Sequence, residues 1–150
     1  MDSVFEKSWL LKGVSPGVRQ RIYAHGDIVA VRPSEILIRE GEPNNFLFLL
    51  LSGRLRIELP DGMEGVPTLP VARREPGDVL GDYSFFDNVP PAVSVVVDAP
   101  SSVFRITHDS LRTILADDAE TRSTIYHNML VYLVSRLRSQ DSELLDFCIY

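Results

Sequence analysis

The chain has 150 residues, 45% of them hydrophobic and 24% charged, with a formal net charge of −6. This suits one soluble globular domain with a core of its own. The acidic surplus, with 13 Arg and 2 Lys scattered along the chain, argues against the basic patch of a nucleic-acid-binding surface, and a lone cysteine, Cys148, rules out an intramolecular disulfide. Residues 1–9 contain Asp2 and Glu6 and no apolar signal core, and no apolar run reaches the length of a membrane span. The expected setting is the cytoplasm, with neither membrane nor direct nucleic-acid contact.

Glycine and proline divide the chain. The last glycine is Gly81 and the last proline Pro100, so the final fifty residues contain neither. Both residues punctuate strands and turns and break helix interiors. The distribution predicts a turn-rich β body followed by a helical tail. Residues 4–11 read as a short helix. Ser15 and Pro16 open a second one, Ser15 as N-cap and Pro16 in the first turn, which runs to His25 and stops at Gly26. Residues 28–31 and 35–39 read as strands around an Arg32-Pro33-Ser34 turn. The unbroken apolar run 46–51 is another, and Ser52-Gly53 then turns the chain. Leu55, Ile57 and Leu59 alternate with Arg54, Arg56 and Glu58, the pattern of a half-buried strand. Residues 60–70 read as a hairpin loop and 69–75 as the next strand. Residues 79–89 suit a turn and one short helical turn rather than a strand, and 93–97 and 101–107 are β-branched strands.

After Thr107, a cap for a short helix, the pattern is helical. Asp117 or Asp118 caps a long helix on which Ile125, Met129, Leu133 and Leu137 lie four apart, with Leu144 beyond. The first half of this stripe suits either the β body or a partner. The second half projects past the domain and needs another surface, so Ile125, Met129, Leu133, Leu137 and Leu144 form the candidate dimer helix. The fold class is α+β, mainly β: an eight-stranded jelly roll with N-terminal helices and a long C-terminal helix. Its expected parts are residues 1–26 (helices), 27–107 (β-roll) and 108–150 (helices).

Two stretches carry a family resemblance. Residues 35–57, EILIREGEPNNFLFLLLSGRLRI, and residues 75–82, EPGDVLGD, resemble the cyclic nucleotide-binding domains of catabolite activator-like transcription factors, kinase regulatory subunits and gated channels. Gly41, Gly53, Gly77 and Gly81 stand at the family's turns. The resemblance implies a β-roll and a phosphate-binding cassette reading Gly-Glu-Leu-Ala and then Pro-Arg-Ala/Ser-Ala-Thr/Ser. There the Glu binds the ribose hydroxyl and the Arg binds the cyclic phosphate. The cassette here spans residues 81–94: Gly81, Asp82, Tyr83, Ser84, then Pro90, Pro91, Ala92, Val93 and Ser94. Asp82 keeps a carboxylate, one methylene shorter. Pro91 replaces the Arg and has neither charge nor N–H. Charge-assisted hydrogen bonds contribute roughly 1.5–3 kcal/mol each, and about 1.4 kcal/mol is tenfold in affinity, so the loss weakens a cyclic nucleotide by a few orders of magnitude.

Three states of the pocket follow: filled by the cassette's own aromatics Tyr83, Phe85 and Phe86, open to another small molecule, or open to a cyclic nucleotide with Arg73, Arg74 or Arg105 supplying the charge. The family's base contact from the long helix falls at Arg136 or Gln140, each otherwise part of a solvated face. No metal or cofactor is expected beyond such an effector. A cupin-like metal enzyme needs several histidines on strands, whereas His25, His108 and His127 all fall on helices and read as surface or capping residues. His127 and Cys148 are the only candidate haem ligands on the long helix. Family transcription factors place a helix-turn-helix after that helix and these residues hold none, so output is expected through protein contacts. The resulting expectation is a non-enzymatic regulatory or sensor module, homodimeric, with weak or no cAMP or cGMP binding and an unidentified effector protein. The alternative is a scaffold domain with a vestigial pocket, dimerising through its C-terminal helix.

Overall fold

A computed structural model describes residues 1–60 and 72–149, with side chains to residue 146. The order is α1 (Ser3–Glu6), a 3-10 turn (Trp9–Leu11), α2 (Pro16–His25), β1 (Asp27–Val31), β2 (Ile36–Ile38), β3 (Phe46–Glu58), β4 (Ala72–Arg74), β5 (Val79–Leu80), α3 (Asp82–Asp87), β6 (Ser94–Thr107), α4 (His108–Ala116) and α5 (Ala119–Ile149). The strands form one antiparallel sheet in the order β1-β6-β3-β4, with β2 also on β6 and β5 also on β3.

The described residues form six strands, not eight. The two strands expected at 46–51 and 55–59 are one, β3, and those at 93–97 and 101–107 are one, β6. Gly53 and Pro100 do not reverse the chain. They sit in a stretch of shifted β3–β6 register, between Leu50 opposite Val103 and Leu55 opposite Val97, where bulges bend both strands without breaking the pair. Gly53 is required there: its φ is +94°, and a Cβ would run into Ser101 Oγ and the Pro100 carbonyl. Residues 79 and 80, expected in a turn, pair with Leu49 and Phe48 as β5. Of the strand expected at 69–75, β4 accounts for the part within the described residues. The 60–70 loop lies almost wholly outside them.

β3 is buried on both faces, which is why 46–51 reads as an unbroken apolar run. Leu47, Leu49 and Leu51 join Phe104, Ile106 and the helices in one core. Phe48, Leu50 and Leu55 join Leu80, Val97 and Val103 in a second, inside the roll. The expected helix 4–11 is broken at Ser8, whose hydroxyl accepts from Leu10 N and starts the 3-10 turn instead. Helix α2 follows its caps as read, with Ser15 accepting from Val18 N.

Asp118 opens α5, accepting from the Thr121 amide at 3.0 Å and its hydroxyl at 2.6 Å. The helix is then tied to the N-terminal segment. Asn128 Nδ2 donates to the carbonyls of Leu10 and Lys12 at 2.9 and 2.8 Å, and Tyr132 stacks on Trp9 at 4.3 Å. This docking corrects the dimer stripe. Ile125 and Met129 are in the core, at 0% and 1% exposure, because the helix is held side-on to the β body through its first three turns. Leu133 is half-buried. Leu137 and Leu144 are exposed as expected, and they continue a row seven apart that begins at exposed Leu130. No helix among the described residues is long and apolar enough to cross a membrane.

Candidate ligand-binding cassette

The cassette starts at a fixed point. Gly81 takes a left-handed conformation, φ +84°, and a Cβ there would meet the Phe46 carbonyl. Asn44 braces that carbonyl, its Nδ2 donating at 2.8 Å. On the other side, His108 Nε2 lies 3.0 Å from the Gly81 oxygen. His108 is thus a buried bracket and not a surface residue, at 3% exposure, and burial pushes its imidazole below the ordinary value. His25 and His127 are exposed, as read.

Asp82 begins α3. It is 4% exposed, and its Oδ2 has no hydrogen-bond partner. Burial raises its carboxyl above the ordinary range. Its own amide and that of Tyr83, with the charges of Arg136 and Arg74, pull the other way. Ser84 is buried and donates to the Val89 carbonyl at 2.9 Å. Asn88, at φ +56°, ends the helix with its amide on the Ser84 carbonyl. Arg112 of α4 secures this end: its guanidinium donates to the carbonyl of Phe85 at 2.7 Å and to Asn88 Oδ1 at 3.3 Å, and lies over the Phe85 ring.

The cassette aromatics do not fill the roll. Phe85 belongs to the helix-side core, edge-on to His108 and Tyr126. Tyr83 and Phe86 are 54% and 45% exposed. They line a groove of about 630 Å³ between α3 and α5, with Tyr126, Leu130, Arg136 and Gln140. The helical spacing of α3 puts Tyr83 and Phe86, three apart, on one face and Phe85 on the other.

Residues 90–94 return to the sheet. The Pro91 carbonyl accepts from Gly41 N at 2.9 Å, and Ser94 Oγ accepts from Glu40 N at 3.0 Å. Ala92 is exposed, and Val93 and Pro91 are half-buried. Of the three arginines considered as substitutes, Arg73 is exposed, and Arg105 is turned to Asp27 at 3.6 Å and to the Phe46 ring. Arg74 stands opposite Leu55 in the β3–β4 ladder, so it shares the face that carries Leu55 into the roll, and its charge reaches Asp82. Arg136 also reaches Asp82. Its guanidinium lies 5.5 Å from the Tyr83 ring and 5.7 Å from the Tyr132 ring. Gln140 is exposed on the same groove. Sequence reading missed His108 and Arg112 as cassette supports, because their partners are backbone carbonyls 27 residues away. Among the described residues no cluster of His, Cys, Asp and Glu is placed to hold a metal ion. The Cys148 side chain is outside the described set.

Residues 28–118 match the family model of the cyclic nucleotide-binding domain. The chain belongs to that family. It is 28% identical over 148 residues to a CRP-like cAMP-activated global transcriptional regulator of Mycobacterium tuberculosis, covering 97% of this chain and 62% of that protein. It is 30% identical over 114 residues to a cAMP-dependent protein kinase regulatory subunit of Emericella nidulans, covering 76% of this chain and 26% of that one. The fold is also that of a cyclic nucleotide-binding domain from Methylobacillus flagellatus, with a TM-score of 0.82 at 22% identity over 96% of this chain and 84% of that one. The chain therefore spans less than two thirds of the length of the curated relatives named here.

Proposed function

We propose that this chain is a non-enzymatic regulatory module in which residues 81–94 form the effector site and in which cAMP and cGMP bind weakly or not at all. The regulatory class agrees with the relatives named above. One observation carries the finer reading: the cassette keeps a buried carboxylate, Asp82, for a hydroxyl donor, but has Pro91 where the family's phosphate-binding arginine stands. A cyclic phosphate placed there loses a charge-assisted pair worth roughly 1.5–3 kcal/mol per hydrogen bond. Calorimetry with cAMP and cGMP tests the reading. A dissociation constant weaker than about 100 μM, tightened by Pro91→Arg by about tenfold or more, supports it. Micromolar or tighter binding to the unaltered chain overturns it.

A second observation supports self-association through α5. Leu130, Leu137 and Leu144 are 61%, 59% and 63% exposed at a seven-residue interval, the repeat that lets two helices share a seam. In this reading the module works in the cytoplasm as a homodimer and passes its signal to a partner protein. Such a seam also serves a scaffold in which the cassette is vestigial. A ligand-dependent rise in melting temperature separates the sensor from the scaffold.

A further inference from the structure

Helix α5 is tied to the body at two places of unequal strength. The inner tie is double. Asn128 Nδ2 donates to the carbonyls of Leu10 and Lys12, and one turn on the Tyr132 ring stacks on Trp9 at an interplanar angle of 15°. The outer tie is a single side chain. Arg136, a further turn along the same helix face, holds its guanidinium 5.5 Å from the centre of the Tyr83 ring on α3 and 5.7 Å from that of Tyr132. Both distances are within reach of a cation–π contact. Among the described residues Arg136 is within 4.0 Å of no carboxylate. Beyond it, and again among the described residues, no hydrogen bond, ion pair or ring contact fastens α5 to the body. Tyr83, the far side of this tie, is 54% exposed on a helix of 6 residues.

We propose that the Arg136–Tyr83 contact is a latch. Closed, it holds the outer part of α5 against the cassette helix; open, it frees that part about a pivot at Asn128 and Tyr132. The contact suits this task because it is weak. An exposed cation–π pair shifts an equilibrium by about two- to fivefold, whereas the pivot combines two hydrogen bonds with a stacked ring pair. Arginine fits the place: its planar, weakly hydrated guanidinium stacks on ring faces and needs no anion there. Tyr83 follows Asp82 at the start of α3, so a change in the seat of α3 moves the ring that closes the latch. The freed part of α5 carries exposed Leu137 and Leu144, so the latch sets where that row points. What opens it rests on the reading of residues 81–94 as an effector site. The latch itself does not, and it is tested without a ligand.

The test is amide hydrogen exchange on the full chain, read at residues 136–144 and, as a control, at 125–130. The variants are Arg136→Met, Tyr83→Leu, the two combined, and Tyr83→Phe. Each is checked for folding by circular dichroism and matched in oligomeric state by sedimentation. Arg136→Met and Tyr83→Leu are each expected to speed exchange at 136–144 by about two- to fivefold and to leave 125–130 unchanged. The combined variant is expected to exchange no faster than the faster single one, because both changes remove the same contact. Tyr83→Phe keeps the ring face and is expected to match the unaltered chain. Unchanged rates in either folded single variant overturn the latch, as do two single effects that add in full. A shift in the emission of Trp9, the chain's one tryptophan, in Arg136→Met also overturns it, since the pivot then moves with the tie. Micromolar cAMP binding overturns the reading of the cassette under Proposed function and leaves the latch standing.

Discussion

His108 Nε2 stands 3.0 Å from the Gly81 carbonyl oxygen, so the first residue of α4 holds the residue at which the cassette begins. The same His108 donates its backbone N–H to the Asn45 carbonyl at 2.8 Å. Three segments far apart in sequence therefore meet at one residue.

The burial of that imidazole gives a pH dependence. The folded-state pKa of His108 lies below its ordinary value of 6.5, chiefly through burial, so the unfolded chain binds more protons near that pH. The resulting stability is complete above pH 6.5 and is lost as pH falls through the folded value. Thermal melts between pH 8 and pH 5 should show the midpoint falling on the acid side, with a shallower fall in His108→Gln. His108→Ala should cost about 1–3 kcal/mol at pH 7.5 for the lost buried hydrogen bond. An unchanged melting temperature in His108→Ala sinks the bracket role.

Asp82 has the opposite sign. Its folded pKa is raised from 3.8, first through desolvation, so the folded chain binds more protons. Its contribution is favourable below pH 3.8 and becomes a penalty as pH rises through the folded value. Asp82→Asn should therefore raise the melting temperature at pH 7, and the difference from the unaltered chain should vanish toward pH 4. A lower melting temperature for the Asn variant at pH 7 contradicts this account.

The two halves of α5 should respond differently. Met129→Ala opens a space in the core beside Ile125 and should cost about 2–5 kcal/mol, at any protein concentration. Leu137→Glu and Leu144→Glu touch exposed positions. They should leave the stability of the domain nearly unchanged and shift sedimentation equilibrium from dimer to monomer. A large loss of stability in Leu137→Glu at concentrations where the chain is monomeric would contradict the placement of that face.

Gly81→Ala tests the cassette's fixed entry. A left-handed conformation costs a non-glycine residue roughly 1–2 kcal/mol, and the added Cβ meets the Phe46 carbonyl besides. The expected loss is about 2 kcal/mol or more. Chemical denaturation measures it, and a loss under 0.5 kcal/mol would mean that this turn is not held as described.

The parts of this fold set by local chemistry were legible in the sequence. Ser15 and Thr107 cap the helices they were read to cap, and of the two candidates Asp117 and Asp118 it is Asp118 that caps the long one, because a cap is a contact two or three residues long. The short helix after Gly81 was legible from the glycine turn before it, although no side chain caps it. What failed depended on distant partners. Gly53 and Pro100 read as turns, but the pairing of β3 with β6 runs through them with a shift in register, and bulges and turns use the same residues. Ile125 and Met129 share a four-residue spacing with Leu133 and Leu137, and spacing does not say where along a helix the supporting body ends. Here Asn128 and Tyr132, held by Leu10, Lys12 and Trp9, mark that boundary. At the cassette, residue types pointed to Asp82 and Pro91, while the inward face of Arg74 follows only from its position opposite Leu55.

The bracing of Gly81 by Asn44, Phe46 and His108 has a mechanical consequence. With its entrance clamped to both the start of β3 and the first turn of α4, the cassette helix is anchored at its N-terminus. The opposite end, near Asn88, is gripped by Arg112 from α4, and Phe86 leans on Tyr126 of α5. Both ends of the cassette helix are therefore fastened to α4, so an altered seat for this helix bears first on α4 and α5.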